Sequence, residues 1–507
     1  MEALDWIVLA LFFLLMVFIG TWSFKQIKGT KDFFAAGGRM PWWLSGISHH
    51  MSGYSAAVFV AYAGVAYTHG FTLYVWWAVP VAIAVFVGAL LIAPRWSRLR
   101  QKLNIESPME YLSTRYNVPT QQLMAWSGVL LKLFDVGAKW AAIAVILNVF
   151  ADVPIAVGIV VSGAISLFYA AIGGLWADAW TDFAQFVVQL VAGIAMFVIV
   201  AGKLGGLGSV TGIWEQLPPD HSKPFVGDYT IGFVLAYVVI NFLSYNGGTW
   251  NLAQRYIAAP TGADARKAAI FSGLLYLFWP LILFFPMWAA PLFYENLADP
   301  TQSYSLMTMD LLPAGLIGLV LASMFAHTMA MTTSDANAIT AVITRDIMPV
   351  ISKKYRSLSK KASLRFARIV MIVFVGLTLL IALNANSFGG VLSLLITWFG
   401  ALVGPISIPM LLGLMPAFKH SDSTAAIVSW VGGIVTFVLV KYVFVTGTAL
   451  LVASPVLVSA ILFIGIGLAK RGRPVRPEVE QLMEMLKADS ALANTGTGAG
   501  HGMNSNG

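Results

Sequence analysis

Runs of about twenty apolar residues follow one another along this chain, with most of its charge confined to the gaps between them. A helix rises 1.5 Å per residue, so a run of that length matches a hydrocarbon core about 30 Å thick. Within a bilayer the backbone must satisfy itself, which leaves only helices and closed barrels. These runs are continuous rather than alternating, so helices are expected and an all-α polytopic membrane protein follows. Composition removes the soluble alternative. Of 507 residues, 58% are hydrophobic and 11% charged, whereas soluble domains carry about 25% charged residues.

Breaks of charge, proline and glycine divide the sequence into about thirteen expected transmembrane helices. They lie near 5–23, 42–67, 73–94, 125–150, 155–175, 180–202, 230–250, 269–293, 315–346, 367–385, 389–416, 424–445 and 447–470. Of the 31 Lys and Arg, 26 fall on loops of one side, and the other side holds only Lys203 and Lys223. Basic loops stay in the cytoplasm. The N-terminus is therefore expected outside and the C-terminus inside, in a cell (inner) membrane.

The net charge of +8 sits on alternate loops and sets orientation, so no nucleic-acid partner is expected. With no cysteine, disulfides and thiolate metal sites are excluded. The first apolar run is preceded by Glu2 and Asp5 and reads as a spanning helix, not a cleaved signal. After Arg476, one amphipathic stretch (478–492) precedes Thr/Gly/Asn-rich sequence expected to be disordered over 493–507.

Two spans carry helix-breaking residues near their middles: Ser52-Gly53-Tyr54-Ser55, preceded by His49 and His50, and Ser244-Tyr245-Asn246-Gly247-Gly248-Thr249. They are five spans apart. Either the small residues allow close helix packing, or both breaks open backbone to substrate and ions at the interface of two inverted repeats.

Ionisable groups inside the membrane need partners or a function. Lys132, Asp135 and Lys139 share the fourth span, with Asp135 and Lys139 one turn apart. They form a self-satisfying pair, or a lysine meets an anionic substrate group. Asp178 and Asp182 are another one-turn pair with no basic neighbour in sequence. Asp182 reads as a helix cap or a hard oxygen ligand. The ninth span is rich in hydroxyls: Thr328, Thr332, Thr333 and Ser334, next to Asp335.

Three stretches carry a family resemblance: Gly173-Gly174-Leu175 with Trp180-Thr181-Asp182 and Gln185; Gln254-Arg255-Tyr256-Ile257 with Ala265-Arg266-Lys267; and Ala336-Asn337 with Thr344-Arg345-Asp346-Ile347. Together they resemble the sodium:solute symporter family over about residues 1–470. The resemblance implies a leucine-transporter-type fold of two inverted five-helix repeats (42–202 and 203–416). An extra N-terminal helix and loop (1–41) precede them, with additional helices (417–470) and a tail (471–507) after.

It also implies alternating access, Na+ as the coupling ion, and a small-molecule substrate held by Gly53, Ser55, Val58, Asp135, Lys139, Thr249 and Trp250. For sodium it points to the carbonyls of Met51 and Tyr54, and to Asp182 with Thr333 and Ser334. The chain departs from the family where the main sodium site expects two hydroxyls, because Ala330 and Met331 stand there. Either the helix register shifts so that Thr332 or Thr333 serves, or that site is altered.

His49, His50 and His327 leave a proton-coupled or sodium-independent alternative open, since histidine titrates near neutral pH. No paired acid and base or phosphate-cradling loop suggests an enzyme. The tail holds no domain for a receptor. An uncoupled channel could share the fold. The expectation is therefore a symporter, working as a monomer in the lipid bilayer, for a sugar, sugar acid or other organic anion. The lysines lean toward an acid, and Trp76, Trp77, Trp140 and Trp250 could stack on a sugar ring.

Overall fold

A computed structural model describes residues 1–388, 390–444 and 448–489. The expected disorder of 493–507 lies outside these residues, as do positions 389, 445 and 447 of the expected spans. Every regular element among the described residues is helical.

The main helices are α1 (Ala3–Ser23), α2 (Trp42–Met51), α3 (Ala61–His69), α4 (Val79–Leu91), α5 (Ala93–Leu103), α6 (Val118–Ala151) and α7 (Ile155–Lys203). They continue with α8 (Ile231–Leu243), α9 (Asn251–Ala258), α10 (Gly262–Ala289), α11 (Leu316–Val342), α12 (Lys360–Leu383), α13 (Gly390–Leu412), α14 (Ser423–Val438), α15 (Thr448–Ala469) and α16 (Pro477–Met485).

Against thirteen expected spans, nine described helices are long and apolar enough to cross a membrane. The count is ten if Val118–Ala151 and Ile155–Phe168, bent by 120°, make one span. The expected span 42–67 is cut into α2 and α3, each too short alone. Of 389–416, the apolar stretch Gly400–Leu412 also falls short of a crossing.

Helix α7 absorbs two expected spans into one element that turns at Gly174 (φ 52, ψ −144). Only glycine adopts that conformation without strain, and a Cβ there would stand 2.5 Å from the Phe33 carbonyl. Leucines, valines and isoleucines project outward from α1, α12, α14 and α15, among them Leu14, Val373, Val435 and Ile461. In water so much exposed apolar surface would drive association, whereas in a bilayer it is the lipid face.

Inside this belt, α7 packs along α11, α10 along α2 and α4, and α6 along α12 and α13. α1 is tied in by Asp5, whose Oδ1 accepts the Gly315 and Gly318 N–H at 2.7 and 2.9 Å. That caps the start of α11 with a buried carboxylate.

Candidate functional site

Breaking a helix in hydrocarbon frees carbonyls that cost several kcal/mol each unless something donates to them. Here the two breaks supply partners to each other. Tyr245 Oη donates to the Gly53 carbonyl at 2.8 Å, and Asn251 Nδ2 donates to that of Ser52 at 3.2 Å. In return, His49 Nε2 donates to the Tyr245 carbonyl at 2.9 Å.

Other side chains complete the set. Tyr276 Oη reaches the His49 and His50 carbonyls at 3.0 Å, Trp96 Nε1 that of Asn246 at 3.0 Å, and Ser407 Oγ that of Gly248 at 3.0 Å. The carbonyls of Met51 and Tyr54 accept no hydrogen bond among the described residues. Their lone pairs are open for a ligand.

Gly53 and Val58 are buried, Ser55 is half-buried, and Ser55 Oγ accepts the Ala57 N–H at 3.4 Å. Across the break, Thr249 Oγ1 contacts Asn251 Oδ1 at 3.2 Å. Trp250 holds φ at +78°, a conformation a bulky residue keeps only when its surroundings force it. Gly128 of α6 leaves room for the ring, which lies where a Cβ on that glycine would be.

One turn beyond Gly128 the buried charges form a closed ring. Lys132 Nζ meets Asp335 Oδ1 at 2.6 Å and Asp135 Oδ2 at 3.1 Å. Lys139 Nζ meets Asp135 Oδ2 and Asp335 Oδ2, both at 2.8 Å. Two ammoniums and two carboxylates cancel, which is how four charges tolerate this depth. Each lysine spends two of its three N–H donors here, so one on each is left over.

The second cluster joins α2, α7, α9 and α11. Arg255 lies on α9 with no exposed surface, although its stretch follows the second break among basic loop residues. Its Nη2, with two N–H to give, lies 2.5 Å from Asp178 Oδ2, 3.0 Å from Ser52 Oγ, 3.3 Å from Asp182 Oδ2 and in close contact with Ser334 Oγ. Asp182, which has no basic neighbour in sequence, thus finds one in space, and Ser48 Oγ donates to it at 2.5 Å. Thr333 and Ser334 donate to Asp178 at 2.6 and 2.9 Å rather than to Asp182.

Asp178 therefore bridges the expected sodium ligands, a role that sequence spacing alone does not show. Two buried carboxylates face one guanidinium, and Asp182 Oδ1 has no hydrogen-bond partner among the described residues. A net negative charge and an orphaned carboxylate oxygen, beside Ser52 and Ser334, fit a monovalent hard cation. Asp182, Ser52 and Ser334 would hold it, and its chemistry there would be charge compensation alone.

α11 is regular through Val342, and its wide turn comes afterwards, at Ile343–Ile347. Ala330 and Met331 thus stand on the regular part of α11, one turn before Ser334. Thr332 Oγ1 donates back to the Thr328 carbonyl at 2.8 Å, which leaves its lone pairs free. Thr328 Oγ1 accepts the Ala56 N–H at 3.2 Å, and Ser52 contacts Ser334 at 2.8 Å. The first break thus lies alongside residues 328–334.

The histidines separate. His49 is fully bonded, with Ser272 at 2.7 Å on Nδ1. His50 Nε2 meets Tyr54 Oη at 3.0 Å, and its Nδ1 is unpartnered. Among the described residues neither nitrogen of His327 has a hydrogen-bond partner; its ring lies 4.5 Å from that of Tyr54.

A helical bundle whose two broken helices meet at mid-length, beside buried carboxylates and hydroxyls, defines a membrane transporter of the broken-helix class. The model of the sodium:solute symporter family matches residues 33–433. The chain belongs to that family, and Na+ is its coupling ion.

The chain is 26% identical to a sodium/sialic acid symporter of Aliivibrio fischeri over 83% of this chain and 85% of that one. It is 24% identical to one of Proteus mirabilis over 84% and 87%. The solved structure of a substrate-bound, outward-open Na+-coupled sialic acid symporter superposes with TM-score 0.80 at 21% identity, covering 94% of this chain and 99% of that one. At that identity the likeness shows the shared fold.

Proposed function

We propose that this protein imports a small polar solute, a sugar acid or related sugar or organic anion, by sodium-coupled symport with alternating access. The observation that carries the reading is the reciprocal bonding of the two breaks, through Tyr245 to Gly53 and Asn251 to Ser52. It brings the open backbone of both helices to one place.

Gly53, Ser55, Val58, Thr249 and Trp250 line the substrate's path. Asp135 and Lys139 act within the four-charge ring, where the unused ammonium donors meet a substrate carboxylate. Sodium is held by Asp182 with Ser52, Ser334 and Thr333, the last two turning from Asp178 to do so, and by the open carbonyls of Met51 and Tyr54. That two of the matched relatives are named for sialic acid, an acidic sugar, supports the substrate class.

Thirteen crossings complete the arrangement: α1 first, inverted repeats over 42–202 and 203–416, and further helices to 470. The N-terminus lies outside the inner membrane and the tail in the cytoplasm. The transporter works as a monomer and catalyses no covalent step.

The test is ligand-induced thermal stabilisation of the purified protein by sugars, sugar acids, organic acids and amino acids, with and without sodium. A sugar acid that stabilises only with sodium is the expected result. Stabilisation by amino acids alone would overturn the substrate class.

A further inference from the structure

Away from the broken helices, on the face rich in lysine and arginine, four separate segments enclose a cavity of about 220 Å³. They are the end of the short helix Tyr111–Arg115, the turn before α14, the end of α15 and the start of the tail. At ~30 Å³ per water, the space holds about seven waters. Its wall carries Arg115, Lys419, Lys470, Arg473 and Arg476, against Asp422 as the one carboxylate.

That carboxylate is already engaged. Lys470 Nζ meets its two oxygens at 2.9 and 2.7 Å, and Asp422 Oδ1 caps α14 by accepting the Ala425 N–H at 3.2 Å. Lys419 has Glu480 at 3.7 Å. The three arginines have no carboxylate partner among the described residues.

Arg115 is 1% exposed and donates only to the carbonyls of Gly413 (2.9 Å) and Phe418 (2.7 Å). Its guanidinium also lies 4.6 Å from the centre of the Tyr116 ring. Arg476 Nη2 donates to the Thr114 and Arg115 carbonyls at 2.9 and 3.0 Å. Arg473 is exposed, and its side chain makes no ion pair or hydrogen bond among the described residues.

A basic surface loop needs no cavity and no buried guanidinium to set orientation. Three arginines converging on a hollow, one of them buried without a counter-ion, lack an anion. Guanidinium forks match phosphate oxygens two at a time. We propose that this cavity binds a phosphate-bearing anion, supplied by the headgroup of an acidic phospholipid or by a soluble phosphate.

Three proteins decide it: the full chain as it stands, Arg473→Gln, and Arg115→Lys, which keeps the charge and loses the fork. A fourth, Lys353→Gln with Lys354→Gln, controls for general basic attraction. One arm measures phosphatidylglycerol against phosphatidylcholine retained by the purified protein in native mass spectrometry. The other measures thermal stabilisation by inorganic phosphate at constant ionic strength.

The expected result is binding about tenfold weaker in Arg473→Gln and Arg115→Lys, as for one charged hydrogen bond lost, and unchanged in the control. Loss of phosphatidylglycerol alone names the headgroup, and loss of the phosphate shift alone names a soluble ligand. If neither arm separates the arginine variants from the parent, or the control falls as far, the site does not exist.

Discussion

At the scale of single residues, the carboxylates divide by what surrounds them. Asp182 keeps one oxygen unpartnered although Arg255 and Ser48 hold the other. If that oxygen serves sodium, Asp182→Ala removes sodium-dependent stabilisation and uptake while the protein still reaches the membrane. Undiminished sodium dependence would sink the assignment.

Glu106 lies outside the spans, between α5 and the helix at Tyr111; among the described residues its Oε2 accepts no hydrogen bond and is paired only with Arg345 Nε, 3.7 Å away. Burial raises its carboxyl above the ordinary value of 4.5, and Arg345 only partly opposes this. A raised carboxyl binds its proton more tightly folded than unfolded, so its contribution to stability falls as pH rises through the folded value. Glu106→Gln should therefore raise the melting temperature relative to the parent at pH 7, with the gap closing below about pH 4. Melting curves at both pH values check this, and a gap that widens toward low pH would contradict it.

At the scale of elements, what could be read from sequence is what neighbours share along the chain. Asp135 and Lys139 meet because one helical turn separates them, and that pairing is legible. Asp335, which closes the ring, stands 196 positions from Lys139, and no periodicity links them. Arg255 escaped for the same reason: its carboxylates sit on α7, and a short helix among charged loops reads as a loop. The breaks in α2–α3 and α8–α9 were legible because glycine and serine runs are local. The bent passage from α6 into α7 was not, since helix axes are set by packing.

Two predictions belong to this scale. Asp335→Asn leaves two buried ammoniums facing one carboxylate, which should destabilise by about 3–5 kcal/mol. Asp135→Asn combined with Lys139→Gln keeps the charge balanced and should cost less. Thermal unfolding compares them, and equal losses would show that charge balance is not what the ring provides. Gly128→Ala places a methyl in the Trp250 ring and should cost about 1–3 kcal/mol, with Gly128→Ala/Trp250→Leu partly restored in the same assay.

At the scale of the whole molecule, the absence of cysteine makes topology directly measurable. Leu207 and Ser357 are both exposed and lie on opposite sides of the proposed arrangement. A membrane-impermeant thiol reagent should label Leu207→Cys in intact cells and Ser357→Cys only after the membrane is opened. The reverse pattern would invert the protein, and with it the direction assigned to the basic cavity.

The interlocked breaks also bear on how such a protein can change over generations. A side chain at Gly53 would run into the hydroxyl of Tyr276, and that hydroxyl holds the carbonyls of His49 and His50. The two positions, more than two hundred residues apart, are therefore inherited as one character. A lineage that gains even a methyl at 53 must already have moved the Tyr276 ring and the edge of Tyr245, each 2.9 Å from that methyl, and found another donor for two carbonyls. Drift through single substitutions is closed at this point, so descendants that diverge everywhere else should keep the pair or exchange it whole.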